Sequence, residues 1–122
     1  MKHNIKTLDM QLTPAISGYL EKRISHLDKF VDGSIAESLM CYVELGKSTR
    51  HHKKGDLFKT ELTINTGGKS FRAEAEESDL YASIDVATDE MAEELKSFKD
   101  KKRSLLKRGG ATIKSFLRGF YK

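Results

Sequence analysis

With 122 residues, 38% of them apolar, the chain has the size of one domain able to bury roughly two thirds of its unfolded surface, which argues against a second core. A single cysteine, Cys41, excludes an internal disulfide, the polar Lys2, His3, Asn4 and Lys6 exclude a secretory signal, and no apolar run nears the roughly 20 residues of a membrane span, so a cytoplasmic, soluble protein is expected. The net charge of +4 conceals an asymmetry: residues 96–122 hold ten Lys or Arg against one acid, a net +9, whereas residues 1–95 hold twelve against seventeen acids, a net −5.

In chain order, alternation of Leu8 and Met10 with polar neighbours predicts a first strand over 4–10, with Ile5 out of phase. A helix start follows: Thr13 suits the N-cap and Pro14 the first helical position, where a missing N–H costs nothing. Ile16, Leu20, Ile24, Leu27 and Val31 recur at helical spacing and form one buried stripe that ends near Asp32-Gly33. Ser38 to Leu45 reads as a strand with Leu39, Cys41, Val43 and Leu45 inward and Met40, Tyr42 and Glu44 outward. After a polar loop over 47–56, Leu57–Thr66 alternates through Phe58, Thr60, Leu62 and Ile64, and Lys69–Glu77 through Phe71, Ala73 and Ala75. Between those two strands, Asn65-Thr66-Gly67-Gly68 predicts a tight hairpin turn.

Ser78 or Asp79 can cap the last helix, whose stripe is Leu80, Ile84, Ala87, Met91, Leu95 and Phe98. The order strand, helix, three strands, helix implies an α+β two-layer sandwich: an antiparallel meander plus one added strand, with both helices on one face. Residues 1–107 make up this domain. Residues 108–122 form a basic amphipathic tail: Gly109-Gly110 breaks the helix, and Ile113, Phe116, Leu117 and Phe120 share a face beside Lys114 and Arg118. A segment that short is not stably helical alone in water and must fold against something.

The last helix changes sign at Leu95. Asp85, Asp89, Glu90, Glu93 and Glu94 precede it; Lys96, Lys99, Lys101, Lys102, Arg103 and Lys107 follow. The helix dipole favours acids early and bases late, but its effect fades within a turn at each end, while this segregation persists for several. Asp89 with Glu93 and Glu90 with Glu94 are like-charge i,i+4 pairs, so an external counter-charge is expected. Lys96, Lys99, Arg103 and Lys107 fall on one arc of the wheel and can follow a phosphate backbone together. The loop residues Arg50, Lys53 and Lys54 add a basic contact; a metal site at His51-His52 is disfavoured because no third ligand completes a zinc set. Lys22, Arg23 and Lys29 on the first helix read equally well as a solvated face or as further contacts. No nucleophile elbow, HExxH or phosphate-cradling glycine loop is present, so neither catalysis nor a cofactor is expected.

Three stretches carry a family resemblance: Met10-Gln11-Leu12-Thr13-Pro14, Leu20-Glu21-Lys22-Arg23-Ile24-Ser25-His26-Leu27-Asp28-Lys29-Phe30, and Phe71-Arg72-Ala73-Glu74-Ala75-Glu76 running into Asp79-Leu80-Tyr81-Ala82-Ser83-Ile84-Asp85. Together they resemble the ribosome hibernation promoting factors, a family that includes ribosome-associated inhibitor A and carries the older name of sigma-54 modulation proteins. The resemblance covers roughly residues 4–103 and implies a β-α-β-β-β-α domain similar to a double-stranded-RNA-binding domain. It further implies a non-enzymatic translation inhibitor of stressed or stationary-phase cells. Such a protein occupies the decoding region of the small ribosomal subunit and sterically excludes messenger and transfer RNA.

By the same resemblance Lys22, Arg23, Lys29, Lys96, Lys99 and Lys101 contact ribosomal RNA. The chain departs from the pattern where Glu90, Glu93 and Glu94 replace a Lys, an Arg and a Gln of the family, and where Ser97 replaces a Lys. Its basic residues 108–122 are a second expected departure, since the inhibitor-type relatives carry an acidic extension and the long forms a dimerisation domain. The expected partners are the small ribosomal subunit and its ribosomal RNA, or the whole ribosome; DNA and membrane are not expected. The rival reading is a membrane-surface or protein-docking module that acts through the basic tail.

Overall fold

The computed structural model describes residues 1–48, 55–66 and 68–107. Its elements are β1 (Lys2–Leu8), α1 (Pro14–Ser25), β2 (Met40–Ser48), β3 (Leu57–Asn65), β4 (Ser70–Glu77) and α2 (Leu80–Leu106). Two 3-10 turns, His26–Phe30 and Ala36–Ser38, join α1 to β2. The sheet order is β1-β2-β3-β4. The meander β2-β3-β4 is antiparallel, and β1 is the added strand, paired parallel to β2 with Ile5 opposite Val43.

Local chemistry sets both helix starts. The Thr13 side chain accepts from the Ile16 N–H at 3.2 Å with Pro14 in the first turn, and the Asp79 carboxylate accepts from the Ala82 N–H at 2.9 Å. Of the two candidate caps for α2, Asp79 is therefore the one used. The α1 stripe is buried through Leu27 and Val31, although the chain tightens from α to 3-10 geometry at His26. The β3–β4 turn is closed by the Thr66 N–H donating to the Lys69 carbonyl at 2.9 Å.

One buried cluster joins the inner face of the sheet (Cys41, Val43, Leu45, Leu62, Ile64, Phe71, Ala73) to the stripes of both helices, forming the two layers. Within that apolar layer the buried Thr60 hydroxyl donates to the Ser83 hydroxyl at 2.7 Å, which in turn donates to the Leu80 carbonyl at 2.7 Å, tying β3 to α2.

The first strand corrects the expected phase. Ile5 packs against the core, whereas Leu8 is 45% exposed. Asp9 stands in the left-handed region at φ 57° and ends the alternation, so Met10 returns to the core after the strand has stopped. At the other end of β1, the Met1 ammonium lies 2.9 Å from the Asp28 carboxylate.

Candidate nucleic-acid interface

Burial of Leu80, Ile84, Ala87, Met91 and Leu95 fixes the rotation of α2 on the sheet, and with it the direction of every other side chain on that helix. At a rise of about 1.5 Å per residue, a helix from Leu80 to Leu106 is roughly 40 Å long, longer than any strand beneath it. Its second half carries the cations. Lys96, Lys101, Arg103 and Lys107 are exposed, and Lys99 is half-buried on the arc beside the core stripe. Among the described residues, Lys22, Lys96, Lys99, Arg103 and Lys107 form no ion pair.

The opposite face of the molecule behaves differently. Glu44, Glu61 and Glu74 stand at neighbouring register positions across the sheet. Lys59 lies 3.4 Å from Glu74, and Arg72 lies 3.0 Å from Glu61. Lys47 pairs with Asp56 at 3.2 Å. Lys59 and Arg72 on the sheet are thus neutralised within the fold, while Lys96, Lys99, Arg103 and Lys107 along the end of α2 have no ion pair among the described residues. That contrast gives the helical side the character of a phosphate-seeking surface.

The three contact residues predicted on the first helix differ, with Lys22 and Arg23 on α1 and Lys29 in the 3-10 turn that follows it. Lys22 and Lys29 are exposed, with the Lys29 ammonium 5.4 Å from the centre of the Phe30 ring. Arg23 is turned toward α2: its Nε and Nη2 donate to the Thr88 hydroxyl at 3.0 and 2.8 Å, and Nη2 donates to the Asp89 carboxylate at 2.6 Å. Its Nε also lies 3.4 Å from the Asp85 carboxylate. Asp85 in turn accepts from the Tyr19 phenol, whose pKa is raised by that hydrogen bond and by burial. Tyr19 packs edge-on against Tyr81, with ring centres 5.1 Å apart.

Asp85 and Asp89 therefore find their counter-charge inside the fold, which corrects the expectation that the whole acidic run of α2 lacks one. Residues more than sixty positions apart make these contacts, so no local spacing announces them. Glu90, Glu93 and Glu94 remain exposed.

Lys102 is also engaged, with its ammonium 3.7 Å from Asp32 in the segment after α1. Arg50, Lys53 and Lys54, together with His51 and His52, lie outside the described residues, as does the tail over 108–122. Among the described residues no three His, Cys, Asp or Glu side chains come together as a metal-binding group, and no helix is long and apolar enough to cross a membrane. Cys41 is fully buried, and burial pushes its thiol pKa up to about 12.

The architecture and the sequence both have relatives. A ribosome hibernation promoting factor of Azotobacter vinelandii is 30% identical over 101 residues, which span 83% of this chain and 85% of that protein. A ribosome hibernation promotion factor of Bacillus subtilis is 27% identical over 101 residues, 83% of this chain but 50% of the relative. The chain spans about half the length of several curated relatives it matches. Among solved structures, the N-terminal domain of Thermus thermophilus Protein Y superposes with a TM-score of 0.66 at 30% identity, covering 80% of this chain and 99% of that one. The family described as sigma 54 modulation protein / S30EA ribosomal protein matches residues 3–103, a span that takes in β2, β3 and β4 entire, with α1 and nearly all of β1 and α2. By that match, the chain belongs to the sigma 54 modulation protein / S30EA ribosomal protein family.

Proposed function

We propose that this protein is a ribosome-associated hibernation factor of the cytoplasm, without enzymatic activity, that docks on ribosomal RNA of the small subunit near the decoding region and sterically excludes messenger and transfer RNA. The observation that carries the reading is the row of cations Lys96, Lys99, Arg103 and Lys107, without ion pairs among the described residues, on a helix whose apolar stripe is buried against the core. Rigid placement matters because recognition of folded RNA by shape and backbone needs charges held at fixed separations. Lys22 on α1 and Lys29 in the 3-10 turn after it extend the surface. Arg23 and Lys102 sit at its base, where their pairs with α2 and with Asp32 hold the neighbouring cations in place. Arg50, Lys53 and Lys54 would add contacts from the loop between β2 and β3, and residues 108–122 would add charge as a separate basic extension. The names of the relatives support the ribosome as the target.

Gradient fractionation of cells at rest and in growth, probed for this protein, tests the reading. Co-migration with small subunits or ribosomes at rest is expected. A purified sample that ignores ribosomes in dilute buffer, where ionic attraction is least screened, would reject it.

A further inference from the structure

A cavity of about 310 Å³ opens where the end of α2 passes over the β3–β4 turn and the segment after α1. Its floor is apolar: Val31, Phe71 and Leu95 are each less than 8% exposed. Phe30 and Phe98 line it with aromatic surface, and Lys99 and Arg103 stand at the same opening. Its volume lies at the small end of ligand sites, which run from roughly 300 Å³, too small for a packed helix but ample for one planar ring.

The chemistry of this opening is mixed in an uncommon way for a helix flank. An apolar, aromatic recess favours a flat, weakly hydrated ring, while two cations without ion pairs among the described residues favour an anion attached to it. A nucleotide unites both requirements, with a base that stacks on aromatic side chains and a phosphate that accepts from Lys and Arg. A basic peptide, including this chain's own Lys114 and Arg118 region, would meet like charge at the opening. Resting on the RNA-binding function proposed above, we infer that this cavity receives one unstacked base of the bound RNA, with its phosphate held by Lys99 and Arg103. The site thereby adds a contact to a base to an interface otherwise made of backbone contacts, and it selects RNA that can present a splayed-out nucleotide.

Gly33 offers a clean way to close the cavity. It lines the opening, and a Cβ built there meets nothing within 4 Å, so Gly33→Leu adds bulk to the recess without a backbone clash. Phe30→Ala removes an aromatic face instead. The probes are a labelled single-stranded oligouridylate and an equally long strand of ribose spacers with the same phosphates and no bases. Both are titrated by fluorescence anisotropy against the full chain, with circular dichroism melts confirming that each variant folds. The wild-type chain is expected to bind the base-bearing strand about tenfold tighter at equal salt, and both variants are expected to lose that margin while binding the spacer strand as before. Equal binding of the two strands by the wild-type chain overturns the inference, and so does a margin that survives in both variants. Sedimentation with small subunits separates the two proposals. If the wild-type chain sediments with them yet shows no base margin, the cavity assignment fails and the ribosomal reading stands; if it does not sediment at all, that reading fails on its own measurement.

Discussion

Arg23 of α1 and Thr88 of α2 meet through a single oxygen, the Thr88 hydroxyl, which accepts from Nε at 3.0 Å and from Nη2 at 2.8 Å. Thr88 is only 2% exposed, and its hydroxyl also donates to the Ile84 carbonyl at 2.8 Å. One side chain thus sets the spacing between the two helices that carry the cationic surface. Replacing it with the isosteric Val leaves a partly buried guanidinium short of an acceptor, at a cost of about 1–3 kcal/mol. Urea denaturation of Thr88→Val should show this loss. Arg23→Lys should recover little of the wild-type stability, because an ammonium cannot reproduce the planar fork.

The Thr60–Ser83 pair makes a second stability prediction. Ser83→Ala leaves the Thr60 hydroxyl buried without its partner and should cost about 1–3 kcal/mol, while adding Thr60→Val should return part of that loss, since a matched apolar pair carries no desolvation penalty. A double-mutant cycle in urea reads both outcomes. A double variant no better than Ser83→Ala alone would show that the hydroxyl pair is not the source.

Cys41 should behave as a burial reporter. Its folded pKa is raised to about 12 by desolvation, so the unfolded thiol ionises first as pH rises. Folding stability contributed by the neutral thiol is therefore fully present below the unfolded pKa of about 8.5 and falls with rising pH from there toward the folded value, by at most about 1.4 kcal/mol per pH unit. Stability of the wild-type chain measured from pH 8 to 11 should decline more steeply than that of Cys41→Ala. A thiol reagent at pH 8 should label the native protein only at the rate of unfolding.

Lys96→Glu combined with Lys99→Glu inverts the middle of the α2 surface without touching the core. If these ammonium groups reach phosphates, affinity for small subunits falls, and the slope of log affinity against log salt shrinks by about one unit per lost contact. Pelleting across a salt series measures both quantities. Unchanged pelleting would reject the assignment of this surface.

Cutting the chain after Lys107 removes the basic extension and keeps every described element. Ribosome association should largely survive that truncation, whereas binding to anionic vesicles or to a protein partner, if the tail is the binder, should vanish. Loss of pelleting on truncation would move the binding function to residues 108–122.

Much of this molecule could be read along the chain because its determinants are periodic and local. The Thr13 and Asp79 caps, the apolar stripes from Ile16 to Val31 and from Leu80 to Phe98, and the alternation through Cys41 to Leu45 and Thr60 to Ile64 all depend on neighbours a few residues away. The phase of β1 could not be read in that way. Ile5 rather than Leu8 faces the core because the strand pairs parallel with distant Met40–Ser48 and stops at Asp9 in the left-handed region.

By itself the sequence determined the α+β order, the core stripes and the reversal of charge along α2, since helical and strand periods place side chains on faces without further help. Only the tertiary structure decided which charges stay available: Arg23 with Asp85 and Asp89, and Lys102 with Asp32, are paired through contacts between remote segments, while Lys96, Lys99 and Arg103 have no ion pair among the described residues. The cavity beneath Lys99 likewise exists only once three separate stretches converge. The physical reason is range: periodicity acts over a few residues, whereas charge neutralisation and cavity shape depend on which distant side chains the folded core brings within a few ångströms.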